Sequence, residues 1–144
     1  MTQGQINLAR LLTYAGILPP WLALIVNLST GLPWTGFAAL TYGAVIASFV
    51  CGMHWGLAMQ RPRSMPVNLL VTSNVGALAA WAMLLASMWS TDLAFIGLVI
   101  VLGVLLLIDR KLLSAAVIEP WFWSVRWLAS IGLGTGLIFW SILA

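Results

Sequence analysis

The chain has 144 residues, of which 62% are hydrophobic and only 6% charged, with a mean hydropathy of +1.08. Roughly a quarter of the residues of a soluble domain are charged, so this composition excludes a water-soluble fold and places the protein in a bilayer. One cysteine excludes an internal disulfide and any multi-cysteine metal site; the formal charge of +3 matters through its placement, and no nucleic-acid partner is expected.

A helix needs about 20 apolar residues to cross about 30 Å of hydrocarbon. The first stretch of that length is 11–28. Pro19 and Pro20 lack amide hydrogens, which frees the carbonyls of Ala15 and Gly16 and predicts a kink. Arg10 precedes this stretch and no small-x-small cleavage site follows, so it reads as a retained signal anchor. Residues 29–33 form a turn, with Trp34 at headgroup level.

The second span, 36–59, is small nearly all the way round. Ala44, Ser48, Gly52 and Gly56 form one ridge, and Gly43, Ala47, Cys51, His54 and Ala58 a broadly opposite one. Small residues let helix backbones approach closely, which predicts a central helix with partners on both sides. The third span, 67–88, carries Asn68, Ser73 and Asn74 in its first turns. Ser90, Thr91 and Asp92 cap the fourth, 92–108, which is rich in Leu, Ile and Val. The stretch 109–123 mixes Asp109, Arg110, Lys111 and Glu119 with Trp121 and Trp123, a composition that suits the membrane interface. The last span, 124–143, places Gly132 and Gly136 four apart for close packing.

None of these stretches shows the period-2 alternation of a barrel strand. The expected fold class is therefore all-α: an integral membrane helical bundle of five transmembrane helices, forming a single domain over 1–144. With five spans, Arg10, Arg61, Arg63, Arg110, Lys111 and Arg126 all fall on one side. The positive-inside rule then predicts a cytoplasmic N-terminus and an outside C-terminus, with the matrix replacing the cytoplasm in a mitochondrion.

An ionisable side chain in hydrocarbon is a functional-site hypothesis in its own right, because it needs a partner. The single histidine, His54, stands in Gly52-Met53-His54-Trp55-Gly56. It lies seven residues before Arg61, roughly 10 Å inward at the α-helical rise. Asn74 reaches a similar depth, Tyr14 is one turn into the first span, and Asp109 and Arg110 close the fourth on the same side. A polar pocket of His54, Trp55, Asn74, Tyr14, Asp109, Arg110 and Arg126, opened by Gly52 and Gly56, is the candidate site. Three uses are weighed for His54: hydrogen bonding to Asn74, Tyr14 or a freed carbonyl to fix helix packing; a proton or quinone role; and metal or haem ligation with Cys51 or Met53. Asp109 with Arg126 reads as a bridge between neighbouring helix ends, and Arg110, Lys111 and Arg126 as an alternative anion or lipid-headgroup site.

The motifs Tyr42-Gly43-Ala44-Val45-Ile46, Ser48-Phe49, Gly52-Met53-His54-Trp55-Gly56, Asp109-Arg110, and Pro120-Trp121 with Arg126 resemble a family of small multi-pass proteins. That family occurs in proteobacteria and mitochondria and is catalogued as a domain of unknown function. The resemblance runs from about Tyr14 to the end, with GxHWG as its most specific piece, and departs at Cys51, where the family has glycine. It implies an energy-transducing membrane and adds weight to His54, Trp55, Asp109 and Arg126.

No nucleotide loop, HExxH, CxxC or GxSxG is present; catalytic residues, a metal site and a cofactor are not expected. The leading expectation is a multi-pass protein of the bacterial inner membrane, acting by association as an accessory or assembly subunit of a larger, respiratory complex. Other subunits or further copies of the chain would be its partners, alongside the lipid. Serine and glycine at Ser48, Gly52, Gly56, Gly132 and Gly136 would form the packing contacts. The alternatives are a small transporter or channel built on the His54 pocket, and a quinone- or haem-binding redox protein.

Overall fold

The computed structural model describes residues 1–60 and 65–143. They form six α-helices: α1 (Gln3–Ala15), α2 (Leu18–Thr30), α3 (Thr35–Gln60), α4 (Leu69–Ala86), α5 (Thr91–Ser114) and α6 (Pro120–Leu143). Taken with α1 and α2 as one unit, five helical units are long and apolar enough to cross a membrane. The protein is a multi-pass helical membrane bundle.

The first span differs from the expected 11–28. A capping box at Thr2, whose hydroxyl accepts from the Gln5 amide while the Gln5 side chain accepts from the Thr2 amide, starts the helix at Gln3. Arg10 therefore lies inside a helix. The prolines cut the span in two, because neither can donate to the preceding turn, and α2 starts afresh with proline in its first turn. One of the two freed carbonyls has a partner: Tyr42 Oη donates to Gly16 O at 2.6 Å.

The stretch 109–123 also departs from expectation. Asp109 does not end its helix, since its charge is met inside the bundle, and α5 continues to Ser114. It stops in a Schellman turn, with Val117 N donating to Leu112 O and Ala116 N to Leu113 O. Ala116 takes the left-handed position at φ 57°, where glycine is the usual occupant. The last helix then begins at Pro120 rather than 124. The third span is shorter than 67–88, because Asn68 caps it by accepting from Val71 N and Ser87 ends it.

In the core, α3 is central and packs on α2, α4, α5 and α6, while α5 pairs closely with α6. Its Gly43–Ala47–Cys51–His54 ridge is buried; Ser48, Gly52 and Gly56 are exposed. At the other extreme α1 has no buried residue and packs lightly on α6. Of the basic residues behind the topology expectation, Arg61 and Arg63 lie outside the described residues.

Candidate functional site

Each of the three central helices carries a stripe of inward residues at three- and four-residue spacing. In α5 the stripe runs Leu98, Leu102, Leu105, Asp109, Leu112, all buried. In α6 it runs Arg126, Ala129, Leu133, Leu137, Trp140, and in α3 Leu40, Gly43, Ala47, Val50, His54. Asp109, Arg126 and His54 therefore occupy core positions by helical period. Exposure of 1% for His54, 1% for Asp109 and 6% for Arg126 seals all three from the surface.

They meet at one carboxylate. Arg126 Nε donates to Asp109 Oδ2 at 2.9 Å, and His54 Nε2 lies 2.8 Å from Asp109 Oδ1. An ionised carboxylate only accepts, so the pairing assigns a hydrogen to His54 Nε2. Taking an ion from water into a low-dielectric interior costs several kcal/mol, and this cost is offset only where partners and geometry are good. Here one anion serves a cation and an imidazole, and the pair Asp109–Arg126 is formally neutral. The triad ties α3, α5 and α6 together at the end where α3 and α5 finish and α6 starts.

Three buried polar atoms have no hydrogen-bond partner among the described residues: His54 Nδ1, Arg126 Nη2 and Ser130 Oγ. Ser130 lies one turn beyond Arg126. Arg126 also lines a cavity of about 320 Å³ between α1, α3 and α6, walled mainly by Tyr42, Phe49, Met53, Phe122 and Leu133.

Of the seven pocket candidates, the structure joins His54, Asp109 and Arg126. Tyr14 (41% exposed) and Trp55 (43%) face outward. Asn74 is exposed and donates to Leu70 O in its own helix at 2.6 Å. Arg110 leaves the triad and lies over the Trp123 ring, 5.7 Å from its centroid, so it does not join Arg126 in an anion site. Histidine is bonded to neither Asn74 nor Tyr14; Asp109 is its partner because it occupies the facing core position. Gly52 and Gly56 do not open onto the triad either, since both lie on the outer face of α3. Among the described residues no group of three His, Cys, Asp or Glu could hold a metal ion.

Sequence reasoning missed three aromatic donors that fasten the first span. Besides Tyr42, Trp21 Nε1 donates to Gly132 O and Trp140 Nε1 to Pro20 O, each at 3.0 Å. Trp21 also packs where a Cβ on Gly136 would stand, and Ile17 where one on Gly132 would. For Tyr42 the available signal was the proline pair itself: a carbonyl bared in lipid needs a donor.

A family model described as "Protein of unknown function (DUF3429)" matches residues 6–142. The chain belongs to this family. The expected membership of a family of unknown function is thereby shown. A curated relative, "Transmembrane protein 69" of Xenopus tropicalis, is 33% identical over 123 residues, covering 81% of this chain and 47% of the relative. The chain thus spans about half the length of the curated relative it matches. No solved structure matches it.

Proposed function

We propose that this DUF3429 protein acts by association, as an accessory or assembly subunit of a larger, respiratory complex in the bacterial inner membrane, with its N-terminus in the cytoplasm. The observation that carries this reading is the outer ridge of α3. Inside the bundle a glycine marks a close approach: a Cβ on Gly43 would meet Leu98 and Leu137 at 3.2 and 3.3 Å, and one on Gly76 would meet Cys51 and Leu105 at 3.0 and 3.3 Å. On the outer ridge a Cβ at Gly52 or Gly56 meets nothing within 4 Å. Gly103 and Gly134, which also meet nothing, border a cleft between α5 and α6, and Gly56 borders a groove that it shares with Ala9 of α1 and Phe122 of α6.

Glycines within α-helices cost about 1 kcal/mol each relative to alanine, and in lipid that cost is offset when another helix packs into the groove they leave. The neighbouring α4 adds Asn74, an exposed amide near its start that can bond across an interface. The occupant this fits is a transmembrane helix of another subunit.

Purification in mild detergent tests the reading. Wild-type protein should bring a stoichiometric membrane subunit with it, and a Gly52→Leu/Gly56→Leu chain should lose that subunit while keeping its own melting behaviour. Wild-type protein isolated as a lone monomer, or unchanged co-purification of the double variant, overturns it.

A further inference from the structure

We infer that the cavity between α1, α3 and α6 is a binding site for a lipid-soluble ring bearing carbonyl oxygens, of the isoprenoid quinone class, with one carbonyl accepting from the Arg126 guanidinium.

Four observations lead there. First, the cavity of about 320 Å³ falls within the size range of small-molecule sites, about 300–1,000 Å³. It shares Thr13, Met53, Phe122 and Val125 with a second groove of about 470 Å³ that reaches Gln60 and Glu119 at the end of the bundle. Second, its polar wall atoms are accounted for except at one residue. Thr13 Oγ1 donates to Ala9 O and Tyr42 Oη to Gly16 O. Arg126 uses Nε on Asp109, and its Nη2 is buried with no partner among the described residues. A buried donor without an acceptor costs about 1–3 kcal/mol, and Arg126, which carries it, is the cationic residue that lines the cavity.

Third, charge selects the kind of oxygen. Asp109 already neutralises Arg126, so a carboxylate or phosphate would add an unbalanced anion in low dielectric, whereas a neutral carbonyl accepts without that penalty. Fourth, the wall selects the body that carries it. Tyr42, Phe49 and Phe122 with Met53 offer ring faces and a thioether, which pack on a planar ring. Ile46, Ala129 and Leu133 complete an apolar wall that suits a hydrocarbon tail. The wall on the remaining side is α1, the helix with no buried residue of its own.

Decylubiquinone binding to the purified protein in phosphatidylcholine nanodiscs, with empty nanodiscs subtracted, tests the assignment. Wild type should bind saturably with one site per chain. Ile46→Trp fills the cavity away from the triad and should abolish binding. Arg126→Lys keeps a cation for Asp109 but removes the second donor, and should weaken binding about tenfold, the value of one hydrogen bond. Folding of each variant is checked by its helical circular dichroism. Non-saturable wild-type binding, full binding by a folded Ile46→Trp protein, or a phospholipid in the cavity that decylubiquinone does not displace would each overturn it.

Discussion

Beyond Ala44, which is itself buried, the two ridges of α3 are built from the same small residues and meet opposite surroundings. Gly43, Ala47, Cys51 and His54 are buried; Ser48, Gly52 and Gly56, on the other side of the same helix, lie open. The difference is that the inner ridge ends in a group that must be partnered. His54 draws Asp109, and Asp109 holds Arg126, so the ridge carrying the ionisable residue is the one that α5 and α6 cover. In lipid, apolar packing alone distinguishes weakly between inside and outside, and a polar contact fixes the rotation of the helix.

Removing that contact should have the largest effect. Asp109→Ala leaves the Arg126 cation buried and unpaired, and should destabilise the bundle by about 3–5 kcal/mol. His54→Ala removes one hydrogen bond but leaves the ion pair, and should cost about 1–3 kcal/mol. Thermal unfolding in detergent measures both, and an equal loss from the two would mean that the ion pair is not what holds the three helices.

The same substitution on the two ridges sharpens the comparison. At Gly43 a leucine must displace Leu98 and Leu137 and should cost about 1–3 kcal/mol by overpacking. At Gly56 it enters open space and should change the stability of the chain by no more than about 0.5 kcal/mol in either direction. Matching losses at the two sites would erase the distinction between the ridges.

Much of this bundle could be read from the sequence. Apolar length alone marks the spans, and the three buried ionisable residues stand out in a chain with so few charges. The ridge of α3 that faces inward could be read from His54, which marks its side for protein rather than lipid, and it is buried. That Ser48, Gly52 and Gly56 lie open could not be read, because hydropathy does not separate core from lipid when both are apolar. The end of α5 was misplaced for a related reason: Asp109 looks like a helix end until Arg126 and His54 are seen to meet it. Trp21 and Trp140 were missed because pairing an indole with one particular carbonyl depends on the relative rotation of two helices, which the residue period of either does not supply.

An effect smaller than the losses at Asp109, His54 and Gly43 belongs to the turn between α5 and α6. Ala116→Gly relieves a left-handed backbone at φ 57° and should raise stability by up to about 1 kcal/mol, readable as a small rise in melting temperature. It leaves both ridges of α3 untouched, which makes it a control for effects transmitted from a loop.

The triad also bears on how the chain is made. Synthesis runs from the N-terminus, so His54 and Asp109 are laid down before Arg126. A charged residue costs about 2.5–3.5 kcal/mol to insert at the centre of a span, and Asp109 and Arg126 stand within two turns of the ends of theirs. The helix carrying Asp109 is the most apolar of the five units, and the helix carrying Arg126 is among the least. The strong inserter thus goes first and sets a carboxylate in the membrane, and the weak one follows with the matching guanidinium across a turn of five residues, 115–119. The bond that closes the bundle is also the one that helps its last helix enter.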